Sequence, residues 1–262
     1  DGAGITVDGA SLNVMNPTSS SAPALFTLTG PSIDLSNAEA TLTGPGEGGR
    51  IDLVAVGEAG ELSVGATSGT FDGFTQWGDI ALDGAVISTR GSSVAPLPEG
   101  FATSIGLRGR NLTLSESVIR NASGAGAIDL TADTMTFADE SAVLAAVNSR
   151  FDNSDFLAVD VRLNAEGDIH LESGSRIVLA GRDPESSTTD FIVGPSGQLD
   201  IRSTEGGLRI EGNGRDFADG GTGIGKGGVI VTGVAGSIDI ELAGQLEMTD
   251  RAAIIAAPKG NE

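Results

Sequence analysis

The sequence predicts an all-β chain wound as a right-handed parallel β-helix, a solenoid of short strands with Gly-rich corners and protruding loops. Three observations predict it. Stretches of the chain superimpose almost residue for residue, the apolar residues recur with strand period, and successive apolar triplets begin only 7 to 9 residues apart. Self-similarity at a fixed period decides fold before local propensity does, because one repeat cannot bury its own apolar face and must stack on its neighbours.

The clearest copies are Met135 to Ala146, Ile169 to Ala180 and Leu246 to Ala257. Each reads apolar-x-apolar, then a polar corner of four or five residues, then a second apolar run that ends in small residues. Ile80 to Ile87 aligns without a gap on Leu112 to Ile119. A second element, apolar-Asp-apolar, is centred on Asp34, Asp52, Asp129, Asp160, Asp200 and Asp239. Side chains alternate across a strand, so the flanking apolar residues face one way and the Asp faces the other. Triplets starting at Ile105, Leu112 and Ile119, at Ile128 and Met135, and at Ile238, Leu246 and Ile254 leave room for one short strand and one corner each. A hairpin meander would instead need longer alternating strands joined by tight Asn-Gly or Asp-Gly turns. Those are not supplied regularly. At roughly 22 residues per coil the chain would make about ten coils, a rod of about 50 Å at about 4.8 Å per coil.

Composition agrees with one β-helical repeat domain over residues 1–262, expected to be a piece of a longer or processed polypeptide. Its 40 Gly suit corners with positive φ and close backbone approach. A net charge of −21 repels phosphate backbones, so nucleic acid is not an expected ligand. Cys is absent, which removes disulfides, thiolate catalysis and Cys-ligated zinc. No apolar run approaches the length of a membrane span. The chain opens inside the repeat, at Gly4-Ile5-Thr6-Val7, with no signal-peptide pattern.

Gly48-Gly49-Arg50-Ile51-Asp52-Leu53, Gly78 to Thr89, Gly126 to Ala132 and Gly227-Gly228-Val229-Ile230-Val231 carry a family likeness. They resemble the repeats of filamentous-haemagglutinin-like exoproteins, above all the cyanobacterial type. The likeness runs from about Gly30 to Pro258. It implies a passenger exported by two-partner secretion through an outer-membrane barrel, then displayed on the cell surface or released as an adhesive or structural shaft. The family's secretion domain carries an Asn-Pro-Asn-Gly-Ile-like motif, approached here only by Met15-Asn16-Pro17-Thr18. This chain is therefore expected to lie downstream of that domain.

Candidate chemistry begins with the outward Asp of the triplets. Stacked on one face, these like charges would repel, and either a divalent cation such as Ca2+ or an interleaved Lys or Arg would relieve them. The plainer reading is a solvated acidic face, with no metal, cofactor or catalytic residue assigned. Glu211 to Gly220 matches a calcium-binding nonapeptide imperfectly and only once, and Gly221 to Gly227 lacks the ending of a phosphate loop. His170 lies between Ile169 and Leu171, so alternation turns it outward. A triad with Ser173 or Ser175 has neither a nucleophile turn nor an oxyanion hole to support it.

A polysaccharide-binding or lyase-like β-helix is the alternative function. Asp152 to Asp155, Arg182 to Glu185 and the nearby Arg150 and Arg182 would supply its acids and bases. Nine Phe, one Trp and no Tyr leave few stacking platforms for sugars. Phe71, Phe74 and Trp77 are expected to buttress a coil, with an exposed contact patch as the other reading. Thr27, Thr29, Thr41 and Thr43 are too scattered for an ice-binding array. Loops near residues 92–103, 146–156 and 181–190 interrupt the repeat and are where a host-surface or glycan ligand would bind. Open pairing edges at both ends predict end-to-end or lateral self-association, or continuation into further chain. The leading expectation is a non-enzymatic, secreted or cell-surface rod.

Overall fold

In a computed structural model of the chain, the described residues are 4–15, 24–43, 49–58, 63–64, 69–70, 74–90, 102–122, 126–146, 159–172, 174–180, 197–212, 229–232 and 237–256. They form three parallel sheets that run side by side, with strands stepping from each sheet to the next in chain order. The first sheet stacks Ile5–Asp8, Ser32–Ser36, Asp79–Asp83, Asn111–Ser115, Thr134–Ala138, Ile169–Leu171, Leu208–Glu211 and Leu246–Thr249. The second stacks Ser11–Met15, Glu39–Thr43, Val86–Arg90, Val118–Ala122, Ala142–Ala146, Arg176–Ala180, Val229–Thr232 and Ala253–Ala256. The third stacks Ala24–Gly30, Gly49–Ala55, Thr103–Arg108, Gly126–Ala132, Val159–Ala165, Gln198–Ser203 and Ser237–Leu242. The molecule is a three-sheet parallel β-helix.

Each aligned copy in the sequence is the first and second strand of one rung. Met135, Ile169, Leu208 and Leu246 follow one another down a single inward column of the first sheet. Val143 and Ile177 do the same in the second, and Ile254 continues their register two rungs further on. Leu112 and Ile119 lie on Ile80 and Ile87, as the ungapped alignment requires. These columns close one continuous core whose inward residues, among them Leu82, Leu114, Phe137, Leu171 and Ile210, are buried. At about 25 cal/mol per Å² of apolar surface, stacking of this kind is the main term that holds the short strands together.

The described rod is shorter than expected. It has eight rungs, the last formed by two described strands, instead of about ten, and it spans about 34 Å at about 4.8 Å per rung. The step from Leu112 to its partner Met135 matches the expected coil length, but Ile33 to Ile80 is far longer. Insertions consume the difference. The segment between Ala55 and Gly78 includes a small antiparallel pair, Ser63–Val64 with Gly69–Thr70. The expected loops at 92–103, 146–156 and 181–190 lie almost wholly outside the described residues. All three connect the second sheet to the third.

The corner between the first and second sheets shows how the backbone turns. Gly9, Asn37, Gly84 and Glu116 occupy it in four successive rungs with φ of 60, 48, 59 and 48°. The N–H groups of Gly9, Asn37 and Gly84 donate to Ser36, Asp83 and Ser115 carbonyls of the next rung at 2.7 to 2.9 Å. That bond offsets the strain of a left-handed residue with a side chain. Gly-rich corners were expected, and Asn37, Glu116, Asp139, Glu140, Asp250 and Arg251 take positive φ as well. The following position holds a small residue: Ala10, Ala38, Ala85, Ser117, Ser141 and Ser175. The serines seal the turn. Ser141 Oγ donates to the Ala138 carbonyl at 2.6 Å and accepts from the Ser117 N–H at 3.2 Å, while Ser117 Oγ accepts from the Ala85 N–H at 3.0 Å.

The apolar doublets of the repeat have a structural meaning that alternation implies. In Val143-Leu144 and Ile177-Val178 the first residue faces the core and the second faces out. Ala142, Leu144 and Val178 form a second buried apolar cluster on the outer side of that sheet. Here the sheet is buried on both faces, as parallel sheets usually are.

Candidate functional site: a charged ladder on the third sheet

The outer face of the third sheet gathers most of the outward Asp residues. One column runs Thr27, Asp52, Gly106, Asp129, Arg162, Asp200 and Asp239, so four of the six triplet aspartates share it. Asp160 lies one column over, in register with Ala127. Asp34 lies on the first sheet, between Thr6 and Ala81.

From Asp52 to Asp200 the column is not a run of like charges, although Asp200 and Asp239 stack directly on each other. Gly106 separates Asp52 from Asp129, and Arg162 separates Asp129 from Asp200. Arg50, two residues before Asp52 and therefore on the same face, donates from Nε to both Asp52 oxygens at 2.8 and 2.7 Å. Its Nη1 lies 3.9 Å from an Asp129 oxygen. Arg162 then bridges Asp129 at 3.0 Å and Asp160 at 3.2 Å. Five charges thus form a continuous chain, Asp52, Arg50, Asp129, Arg162 and Asp160. Of the two remedies that the sequence admits for stacked carboxylates, the interleaved Arg is present here.

Gly106 makes the first link. A Cβ added to it would collide with Arg50 Nη2 and Asp52 Oδ1, so the bare backbone leaves the space in which the guanidinium lies. Arg50 and Asp52 are deeply buried, with 3% and 1% side-chain exposure. Burial pushes the Asp52 carboxyl up, against the opposing pull of Arg50. Further along, Asp160 accepts the Gln198 N–H at 2.9 Å and Asp200 accepts from Gln198 Nε2 at 2.6 Å. Most of these charges are therefore occupied by neighbours, and Arg162, 42% exposed, is the most accessible cation of the chain of five.

The aromatic residues buttress the shaft beside this face. Val56 and Trp77 form an antiparallel bridge, and the Gly57 N–H donates to the Gln76 carbonyl at 2.8 Å. Glu58 clamps the same stem by accepting the Thr75 and Gln76 N–H groups, which hold its carboxyl below the usual range. Trp77 lies 4.2 Å from the Arg108 guanidinium, a cation–π contact on the third sheet, and meets Phe74 edge-on at 5.9 Å. Phe71 is outside the described residues.

Other sequence candidates separate. His170 faces outward as expected, with Nε2 3.3 Å from Glu211 and Nδ1 3.8 Å from Glu172. Ser175 turns into the core and donates Oγ to the Phe137 carbonyl at 2.8 Å, so it is no nucleophile for His170. Ser173 lies outside the described residues, as do Arg150, Asp152 to Asp155, Arg182 to Glu185, residues 213–220 of the nonapeptide-like stretch, residues 221–227 and Asn16 to Thr18. Thr27 and Thr29 are on the third sheet but Thr41 and Thr43 are on the second, so they form no common array. Among the described residues no three His, Asp or Glu side chains come together to hold a metal ion. Among them, too, no helix is long and apolar enough to cross a membrane.

No family model, curated protein or solved structure matches this chain. The functional reading therefore rests on the geometry of the shaft and on the repeats themselves. Sequence reasoning missed Arg50, Arg162 and Gly106. The signal was present, because Arg50-Ile51-Asp52 and Asp160-Val161-Arg162 place opposite charges two residues apart and so on one face.

Proposed function

We propose that this chain is a non-enzymatic shaft segment of a secreted or cell-surface rod, serving adhesion or structure. The observation that carries the proposal is the charged ladder. Carboxylates and guanidinium groups are spent on one another from rung to rung instead of converging on a groove. A face whose charges are largely paired with one another suits a stiff spacer, and stacked rungs give it length. The likeness of the repeats to filamentous-haemagglutinin-like exoproteins supports export by two-partner secretion, with an outer-membrane secretion partner and exposure outside the cell. High acidity without Cys suits an exterior medium in which stability comes from stacking alone.

A polysaccharide-binding or polysaccharide-processing β-helix is the second reading. It is favoured by one observation, the half-exposed Arg162 held between Asp129 and Asp160. Incubation of the purified chain with acidic polysaccharides, read as growth of an unsaturated uronate chromophore, separates the two. The shaft reading expects no turnover. Turnover that Arg162→Gln abolishes, with the fold retained by circular dichroism, would overturn it.

A further inference from the structure

His170 is the only histidine of the chain, and neither reading of the shaft uses it. It stands at the centre of Ile169–Leu171, the shortest strand of the first sheet, which meets the strands before and after it through three residues each. The sixth rung is therefore the thinnest part of that sheet. The ring lies between two carboxylates, with Nε2 3.3 Å from Glu211 of the seventh rung and Nδ1 3.8 Å from Glu172 on its own strand. A neutral imidazole carries one N–H, so either tautomer turns a nitrogen lone pair toward one of the two. Only the imidazolium presents a proton to both. Among the described residues Nε2 has no hydrogen-bond partner and is shielded from solvent, a deficit that a charge-assisted bond to Glu211 would correct.

The charges around the ring are mostly negative. Arg209 stacks on His170 in register and donates Nη2 to Glu211 at 2.7 Å, with its Nε 4.0 Å from Glu247. Glu211 Oε1 is thus shared by both basic side chains. On the other side Thr136 lies in register, and Thr134–Ala138 carries no ionisable side chain. Asp168, two residues before His170, accepts the Gly207 N–H at 2.8 Å. The corners that flank these strands hold Asp133, Asp139, Glu140, Glu166 and Glu205, all of one sign. With a neutral ring, the carboxylates of Glu172, Glu211 and Glu247 face the single guanidinium of Arg209.

We propose that His170 is an acid-set staple of the shaft. As imidazolium it bridges Glu172 and Glu211 and so ties the sixth rung to the seventh. As neutral imidazole it sets a lone pair against one of them, and the tie is lost. Histidine is the side chain whose charge ordinarily changes in mildly acidic to neutral media, which makes this contact a response to acidity that no other described residue duplicates. The contribution is full where the ring is charged and disappears as pH rises and the proton leaves. It tightens the shaft where the first sheet is thinnest, whatever the shaft binds.

Urea denaturation of the 262-residue chain, followed by circular dichroism at about pH 6 and about pH 8, reads the staple. With one His and no Cys, the chain has no other side chain that ordinarily titrates between those values. The wild-type midpoint should be about 0.3 M higher at the lower pH, the shift that one partly exposed ion pair gives on the usual slope. His170→Gln should remove that difference, and Glu211→Gln should remove most of it. In the cycle of both substitutions the coupling should be present at the lower pH, absent at the higher, and weakened in about 1 M salt. Asp34→Asn, on the same outward column four rungs away, should leave the wild-type difference in place. Should Glu211→Gln fail to fold, Glu172→Gln at a 41% exposed side chain gives the reading in its stead. Equal wild-type midpoints at both pH values overturn the proposal. A difference that survives in His170→Gln, or a coupling of the same size at both pH values, overturns it too.

Discussion

Replacing Asp52 by Leu removes the bidentate partner of a guanidinium that is 3% exposed. Breaking one half of a buried ion pair costs about 3 to 5 kcal/mol, because the remaining charge cannot return to water without disrupting its surroundings. The lower end, about 3 kcal/mol, applies here because Asp129 also faces Arg50 at 3.9 Å. Arg50→Met together with Asp52→Leu removes both desolvation penalties, and should return stability to within about 1 kcal/mol of wild type or above it. Urea denaturation at neutral pH, followed by the fluorescence of the lone Trp77, reports on these rungs directly, since Trp77 packs on Arg108 of the neighbouring strand. With a slope of about 2 kcal/mol per M, the single substitution should lower the midpoint by about 1.5 M and the double by little. Acid gives a second check. The folded chain holds the Asp52 proton more tightly than the unfolded chain, whose group titrates near 3.8, so this group's contribution to stability falls as pH rises from 3.8 through the raised folded value. Asp52→Leu should remove that component of the pH profile. Equal effects of the single and double substitutions would refute the reasoning, as would a single substitution without cost.

Phe137, the largest fully buried side chain among the described residues, should cost about 3 to 5 kcal/mol as Phe137→Ala, read by the same urea titration. Ser141→Ala removes the acceptor for the buried Ser117 N–H and the donor to the Ala138 carbonyl, and should cost about 1 to 3 kcal/mol, whereas an exposed serine changed in the same way should be neutral. Asp79 is held below the ordinary 3.8 by hydrogen bonds from Arg110, so its stabilisation is present above 3.8 and is lost as pH falls through the lower folded value. Both side chains are about half exposed, which limits the effect to less than about 1 kcal/mol and makes it fade in salt; carbon-detected titration with and without Arg110→Gln measures it. Because Arg50 and Arg162 already pair with Asp52, Asp129 and Asp160, which leaves only Asp200 and Asp239 in direct contact along the column, a chelator should leave the melting temperature unchanged in thermal scans.

The fold was legible because its information is local and repeated. Leu112, Met135, Ile169 and Leu246 announce one column by their place in copies of the same short phrase, and no distant contact has to be guessed. Rung number was not legible, since a segment such as that between Ala55 and Gly78 carries no mark that it leaves the coil. Corner chemistry was half legible: Gly-rich corners were expected, but Asn37 and Glu116 adopt the same left-handed turn, Asn37 with its N–H bonded to the Asp83 carbonyl of the next rung. The ladder was misread in detail because the triplets were compared one at a time. Which residue lies over Asp129 depends on how many residues the intervening corners hold, and only the stacked register puts Arg162 there and sends Asp34 to another sheet.

The most direct test of the account is the distance ladder along the first sheet. Asp34, His170, Arg209 and Glu247 occupy one outward column at the second, sixth, seventh and eighth rungs. The chain has no Cys, so cysteines introduced in pairs at position 34 and at each of the other three can be spin-labelled without background. Pulsed dipolar spectroscopy should give backbone separations of about 19, 24 and 29 Å, rising by about 4.8 Å per rung although the paired sites lie far apart in sequence. Equal steps of that size would establish the stacked shaft in this register. Distances that fail to rise in this order, or that rise by unequal steps, would contradict it.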